Sequence, residues 1–273
     1  MPRHDVGLAR NVQPVRPLST RISREQEVYD KARVDKSSGE LLDFDEVIYP
    51  AVVRQRQYDL IRRVATPLGP ERVLDVGCGG GWSTRFLSRL TSHAVGLDAS
   101  RALVATAHHG DLSNTDFIVG DGNRLPLRER SIDLIVSIAA LHHLETKQAL
   151  YEWRRVLKPE GQLLLFEPNR LNPLAAIGRR FFRFETHTPD ERPFARAELK
   201  SLFTRNNWEL LYLSTDIQFT FAISRLARVY NLSQASARKL VPLLVASENV
   251  ARRLPLSRGL GWILVVLARP RKT

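Results

Sequence analysis

The sequence predicts an α/β protein built on a doubly wound sheet, and three observations predict it. Residues 73–81, Val-Leu-Asp-Val-Gly-Cys-Gly-Gly-Gly, take a short apolar run into a glycine turn, and helix-compatible sequence from Trp82 to Leu90 follows at once. Two more short apolar runs, 93–98 and 117–121, end in acids, as the first carries Asp75 just before its turn. Helical stretches separate these runs, and strand–helix alternation favours a parallel sheet covered on both faces. At 273 residues and 43% hydrophobic, the chain has enough apolar mass for one full core with an elaboration.

Taken in order, residues 1–24 are polar and contain Pro2, Pro14 and Pro17, which predicts a loose arm with no secretory signal. Residues 25–50 scatter Tyr29, Leu41, Leu42, Phe44, Val47, Ile48 and Tyr49 among charges. Residues 51–65 place Val52, Val53, Leu60, Ile61 and Val64 on one broad helical face. Strand one is the run before the glycine turn. Such a turn lets backbone approach a nucleotide-like ligand closely at the carboxyl edge of a sheet. It is not the nicotinamide pattern G-x-G-x-x-G, because Trp82 stands where the third glycine is needed. His93–Asp98 and Phe117–Asp121 give strands two and three, Ser131–Ser137 strand four, and the run from Gly161 to Asn169 strand five. Pro159 and Gly161 stop the preceding helix. An irregular stretch to Pro193 holds Phe181, Phe182, Phe184 and His187. Ala195–Asn206 reads as a helix, Trp208–Ser214 as strand six and Gly261–Ala268 as strand seven, with a long insertion, 219–258, between the last two.

With Asp75, Gly77, Gly79 and Gly81 spaced in this way, the turn resembles motif I of the class I S-adenosylmethionine (SAM) dependent methyltransferases. Residues 120–127 (Gly-Asp-Gly-Asn-Arg-Leu-Pro-Leu), 140–144 (Ala-Leu-His-His-Leu) and 155–161 (Arg-Val-Leu-Lys-Pro-Glu-Gly) carry the resemblance over about residues 50–170, and more loosely to the C-terminus. Within the superfamily the chain is similar to the branch of quinone C-methyltransferases and small-molecule O-methyltransferases. The resemblance implies a Rossmann-like seven-stranded sheet with its last strand antiparallel. It also implies an N-terminal arm and flap over residues 1–50, with Tyr29 to Tyr58 closing over the cofactor. The SAM-binding domain would then span 51–273, with 219–258 a helical insertion.

SAM is the implied cofactor. Asp98 lies about 20 residues beyond the turn, where such folds set a carboxylate on ribose hydroxyls. Acceptor-only, a carboxylate can take both O–H groups of a diol. Asp121 is implied as the acceptor for the adenine amino group, with backbone at Gly122 reading the ring. Asp75, Gly77, Cys78, Gly79, Ala99, Asn123 and Ser137 complete the expected cofactor contacts. Cys78 is expected to be a small packed residue rather than a nucleophile, and as the chain's only cysteine it excludes an internal disulfide.

Methyl transfer needs a general base only when the acceptor is a hydroxyl or an acidic carbon. His143 and His142, just past strand four, are the candidates, with Glu167 and His187 behind them; an imidazole's ordinary pKa of about 6.5 suits the task. No metal site is expected, because adjacent histidines rarely point the same way in regular structure. The motifs specify cofactor and fold but not the acceptor. A small organic molecule, apolar or lipid-like molecules included, is the leading expectation. RNA or protein methylation and a non-catalytic scaffold are the alternatives. Residues 137–140 read Ser-Ile-Ala-Ala, lacking the D/N-P-P-Y/F box of enzymes that methylate base nitrogens, which argues against nucleic acid.

The formal net charge is +12, and residues 221–273 hold ten basic residues and a single acid, Glu248. Within the insertion, Ala222–Tyr230 and Ser236–Leu254 have helical spacing, with Leu226, Leu240, Leu243, Leu244, Val250 and Leu254 on an apolar side. Pro242 should kink the second helix or begin it. Three readings stay open for 219–258: a lid, a basic amphipathic surface for anionic membrane, or plain packing. A single thiol and the lack of any apolar window long enough to span a bilayer point to the cytoplasm, with peripheral membrane contact through 219–258. The sequence leaves the oligomeric state unspecified.

Overall fold

The strands over 72–76, 93–98, 132–138 and 263–270 bury most of their residues on both faces, so helices must cover the sheet twice. In the computed structural model, residues 26, 34–35, 40–41, 48–108, 112–172, 192–220, 223–224, 230, 232–254 and 259–272 are described. The sheet strands are β1 (Arg72–Val76), β2 (His93–Asp98), β3 (Thr115–Val119), β4 (Ile132–Ile138), β5 (Leu157–Pro168), β6 (Trp208–Asp216) and β7 (Ile263–Pro270). Their spatial order is β3-β2-β1-β4-β5-β7-β6. The first five pair in parallel, and β7 lies antiparallel to both β5 and β6. This is the Rossmann-like sheet with an antiparallel last strand. The strand order reverses between β1 and β4, the switch point where ligands of open α/β sheets bind. Because β6 runs parallel to β1–β5, Asp216 ends at the same edge as Val76, Asp98 and Ile138.

Among the described residues six helices accompany the sheet: α1 (Ile48–Leu68), α2 (Trp82–Leu87), α3 (Arg101–Ala107), α4 (Thr146–Val156), α5 (Arg196–Arg205) and α6 (Gln234–Ala251). One core forms where α4 and α5 bring Leu150, Trp153 and Phe203 onto Leu74, Val76 and Leu165. The other forms where α1, α2 and α6 bring Ile61, Phe86 and Leu244 onto Val73, Val136 and Leu164. Adjacent residues of one strand enter opposite cores, as period-2 geometry requires. Helix α4 ends at Val156 and β5 begins at Leu157, so Pro159 and Gly161 lie inside the strand and do not stop the helix as the sequence predicted. Several boundaries shift from the sequence expectations: β3 runs over Thr115–Val119 instead of 117–121, β5 begins at Leu157 instead of Gly161, α2 ends at Leu87 instead of Leu90, and α6 runs continuously through Pro242, which neither begins it nor ends it.

Buried charge ties α6 to the rest. Arg56 of α1 forks onto Asp216 at the end of β6, its Nε donating to Oδ1 at 2.8 Å and Nη2 to Oδ2 at 2.9 Å. Its Nη1 donates to Asn249 of α6 at 3.0 Å. Glu248 of α6 is buried and accepts the backbone N–H groups of Gln218, Phe219 and Thr220 at 2.6–2.8 Å, and the Thr220 hydroxyl at 2.7 Å. Tyr29, Phe181, Phe182, Phe184, His187 and Leu226 lie outside the described residues, as does most of the expected 222–230 helix.

Candidate active site

Strand β1 delivers the glycine turn to the switch point. The N–H groups of Gly77 and Cys78 both donate to the Leu97 carbonyl, at 2.8 and 3.1 Å, which fastens the turn to β2. Gly77 has φ +76°, and a Cβ there would collide with Ala140 beyond β4. Gly79 has φ +53°, yet a Cβ built on it would meet open space. A left-handed backbone facing open space is a surface that a ligand can approach closely. The Cys78 thiol is buried and burial pushes its pKa up, so it stays protonated and packs, as expected.

Asp75 stands behind this turn with only 1% of its surface exposed. Its Oδ2 accepts the hydroxyls of Ser83 and Thr84, both at 2.6 Å, from the first turns of α2. Its Oδ1 is buried and has no hydrogen-bond partner among the described residues. Burial is the main reason its carboxyl is pushed up to about 6, against help from the two hydroxyls. A buried carboxylate oxygen left unmatched costs free energy until a donor arrives. The cradle is therefore built for a cationic or strongly donating group.

Asp98 ends β2 and joins it to the turn. Its Oδ2 accepts Gly79 N–H at 2.8 Å, and its Oδ1 accepts Ser100 N–H at 2.9 Å, spanning Ala99. Beyond β3, Asp121 Oδ1 accepts the backbone and side-chain N–H groups of Asn123, each at 2.8 Å. Asn123 is buried, and its Oδ1 accepts Glu145 N–H at 2.9 Å, so its amide braces the loop against the start of α4. Trp153 Nε1 donates to the Gly122 carbonyl at 2.9 Å and holds the loop from below. Those braces were not visible in the sequence, since they join residues 22 and 31 positions apart.

Ser137 lies in β4 opposite Val76, fully buried, and its Oγ has no partner among the described residues. After β4 the chain makes a single 3-10 turn, Leu141–His143. Contrary to expectation for adjacent histidines, this turn sets both rings together, their centroids 3.9 Å apart at 40°. Both histidines are buried. His142 Nδ1 lies 2.6 Å from Glu167 Oε2, and the other oxygen of Glu167 accepts Leu141 N–H at 2.8 Å. Glu167, at the end of β5, is thus the partner of His142; its position was visible in the sequence, the pairing was not. Donating Nδ1–H to the carboxylate makes Nε2 the nitrogen that carries the lone pair. Among the described residues no group of three or more His, Cys, Asp or Glu forms a metal cluster.

At the entrance, Tyr58 of α1 stacks on Phe86 with centroids 3.9 Å apart and tilts against Trp82, the first residue of α2, at 5.8 Å. The later part of the expected flap is thus helix α1, set beside the glycine turn.

Residues 74–165 match the family model described as "Methyltransferase domain". Over these residues the chain is similar to a methyltransferase domain. The chain is 38% identical over 117 residues to a demethylmenaquinone methyltransferase of Thermotoga maritima, a match covering 42% of this chain and 49% of that protein. It is 37% identical over 98 residues to a probable tRNA methyltransferase 9B of Homo sapiens, covering 34% of this chain and 20% of that one. The chain therefore spans about half or less of the length of these curated relatives. Among solved structures, geranyl diphosphate C-methyltransferase from Streptomyces coelicolor A3(2) superposes with a TM-score of 0.61 at 14% identity, over 94% of this chain and 100% of that one. That likeness is one of fold.

Proposed function

We propose that this chain is a SAM-dependent methyltransferase acting on oxygen or carbon of a small organic acceptor of apolar or lipid-like character. The observation that carries the reading is the buried Asp75 oxygen that lacks a partner behind a glycine turn open at Gly79. In this reading Asp75 faces the cofactor's ammonium, Asp98 its ribose hydroxyls and Asp121 its adenine amino group. Gly77, Cys78, Gly79, Ala99, Gly122, Asn123 and Ser137 shape the remainder of the cradle. When bound, SAM supplies a methyl group on a sulfonium, already a strong electrophile, so the protein's contribution is mainly orientation.

His142 is the proposed base, with His143 against it. His142 Nε2 takes the proton from an acceptor hydroxyl or acidic carbon, and the resulting imidazolium is held by Glu167 across the 2.6 Å contact. A small acceptor is supported by the longer of the two likenesses, the 117-residue match to the demethylmenaquinone enzyme against 98 residues for the tRNA enzyme. The reading includes a cytoplasmic protein whose 219–258 segment makes peripheral contact with an anionic membrane, from which an apolar acceptor would be drawn. No helix among the described residues is long and apolar enough to cross a membrane.

The test is mass analysis of a cell extract incubated with the protein and isotopically labelled SAM. A labelled small molecule in the organic phase, absent without enzyme, is the expected result. Label confined to RNA or to protein would overturn the acceptor class.

A further inference from the structure

Helix α6 has two apolar faces. Ala237, Leu244 and Ala251 are buried in the core shared with α1, and Leu240, Val241 and Val245 pack against it. Its other face looks outward. Leu243 and Val250, with Leu254 just past the helix end, are 66%, 60% and 52% exposed. Their spacing of seven and four places them along one line of the helix. Pro242, Arg238, Lys239 and Arg253 are exposed as well, Lys239 and Arg253 flanking the line within about a quarter-turn and Arg238 further round the exposed side. Between residues 232 and 254 the only acid is Glu248, and it is buried under the helix. The sequence pattern had joined Leu240 and Leu244 with Leu243 and Val250 as a single apolar side. The structure divides them between core and solvent.

An apolar line rimmed by one sign of charge selects its occupant. A second copy seated across a two-fold axis would set each basic rim against its equal, so like charges oppose that contact. An anionic bilayer interface accepts both parts, taking apolar side chains at the headgroup–acyl boundary and guanidinium and ammonium groups among phosphates. We propose that the outward face of α6 is a membrane-seating surface for anionic lipid, with Leu243, Val250 and Leu254 inserted and Arg238, Lys239 and Arg253 on the headgroups. Its orientation follows from the buried side of the helix. Glu248 caps the turn that leaves β6 at the carboxyl edge, and Asn249 bonds the Arg56 that clamps Asp216 there. Seating α6 therefore fixes that edge of the sheet relative to the bilayer. The proposal rests on the membrane contact stated above and is independent of methyl transfer.

The experiment is flotation of the full chain with vesicles of phosphatidylcholine, with and without phosphatidylglycerol, at low salt and at about 1 M, where the Debye length falls to about 3 Å. The wild type is expected to float with the anionic vesicles at low salt only. Reversal of the rim (Arg238→Glu, Lys239→Glu, Arg253→Glu) should lower partitioning by about two orders of magnitude, given the attraction each basic residue contributes near such a surface. The pair Leu243→Ser and Val250→Ser should lower it about tenfold or more while every charge is kept. Reversal of the exposed Arg63 on α1 and Arg205 on α5 should change it little, and melting curves confirm that each variant is folded. No flotation at low salt, flotation unaffected by the leucine–valine pair, or equal loss with the Arg63 and Arg205 variants would overturn the proposal. So would a concentration-dependent dimer in sedimentation that the leucine–valine pair abolishes. SAM binding is unaffected by any of these outcomes, so failure here leaves the enzymatic reading standing.

Discussion

Asp75 carries an electrostatic cost that the rest of the site explains. Its carboxyl is raised from 3.8 to about 6 by burial, so the folded protein holds this proton more tightly than the unfolded chain does. The stability contributed by the protonated form is present below pH 3.8 and is lost as pH rises through about 6. The loss is on the order of 3 kcal/mol for a shift of this size. Asp75→Asn should therefore flatten the dependence of thermal stability on pH across that window, as read by melting curves. A cationic cofactor group inverts the cost, because the ionised carboxylate gains a partner. SAM affinity of the wild type is expected to fall as pH drops below about 6, and that of Asp75→Asn to stay nearly level. A second prediction concerns the His142–Glu167 pair. His142→Ala should lower the rate of label transfer into extract by about 10²–10⁴ with SAM affinity unchanged. Glu167→Gln should lower it less and shift the pH profile, since the imidazolium loses its counter-charge. Normal rates in both variants would return the pair to a packing role. At this scale the three strand-end acids were legible because each sits at a fixed offset from a short apolar run. Pairings such as His142 with Glu167 were not, since they depend on how β4 and β5 align, which no local pattern specifies.

Helix and strand identities were legible wherever an apolar run had a sharp boundary. The glycine turn placed α2, whereas Pro159 and Gly161 misplaced the end of α4, because the helix stops at Val156 and both residues lie inside β5. Orientation was harder to read for α6. Its inward and outward apolar lines are both written in leucine and valine, and only the packing of α1 against α6 distinguishes them. The buried Arg56–Asp216 fork between α1 and β6 could not have been foreseen from residues 160 apart. It supplies a third prediction. Arg56→Ala would leave Asp216 buried without its counter-charge and should destabilise the fold by about 3–5 kcal/mol in denaturant titration. Arg56→Met with Asp216→Leu should recover much of that loss by replacing charge with apolar volume. Recovery no better than additive would show that the clamp contributes beyond neutralisation. A fourth prediction follows from Trp153, which fills the core and reaches the Gly122 carbonyl. Trp153→Phe should cost about 1–3 kcal/mol of stability, through the lost volume and the unmatched carbonyl, and weaken SAM binding through the 121–123 loop.

Across the whole molecule, the switch point between β1 and β4, the strand-end acids and the open glycine turn converge on one edge of the sheet. Helix α6 packs with α1 in the core that holds Ile263 and Val265 of β7, and the excess positive charge gathers in the C-terminal part of the sequence. The fold was legible because a parallel sheet needs crossover helices, and the spacing of apolar runs left room for them. The acceptor was not, because small-molecule pockets are shaped by segments whose patterns vary between sequences. The central claim is that this edge holds SAM. It is tested most directly by calorimetric titration of SAM into the full chain and its Asp98→Asn variant at neutral pH, with melting curves to confirm folding. Asn keeps an acceptor for the Ser100 N–H while removing the charge. The wild type should bind, and the variant should bind at least tenfold more weakly, the size expected for a charge-assisted bond of about 1.5–3 kcal/mol. No heat of binding from the wild type, or equal affinity in a folded Asp98→Asn, would contradict the account.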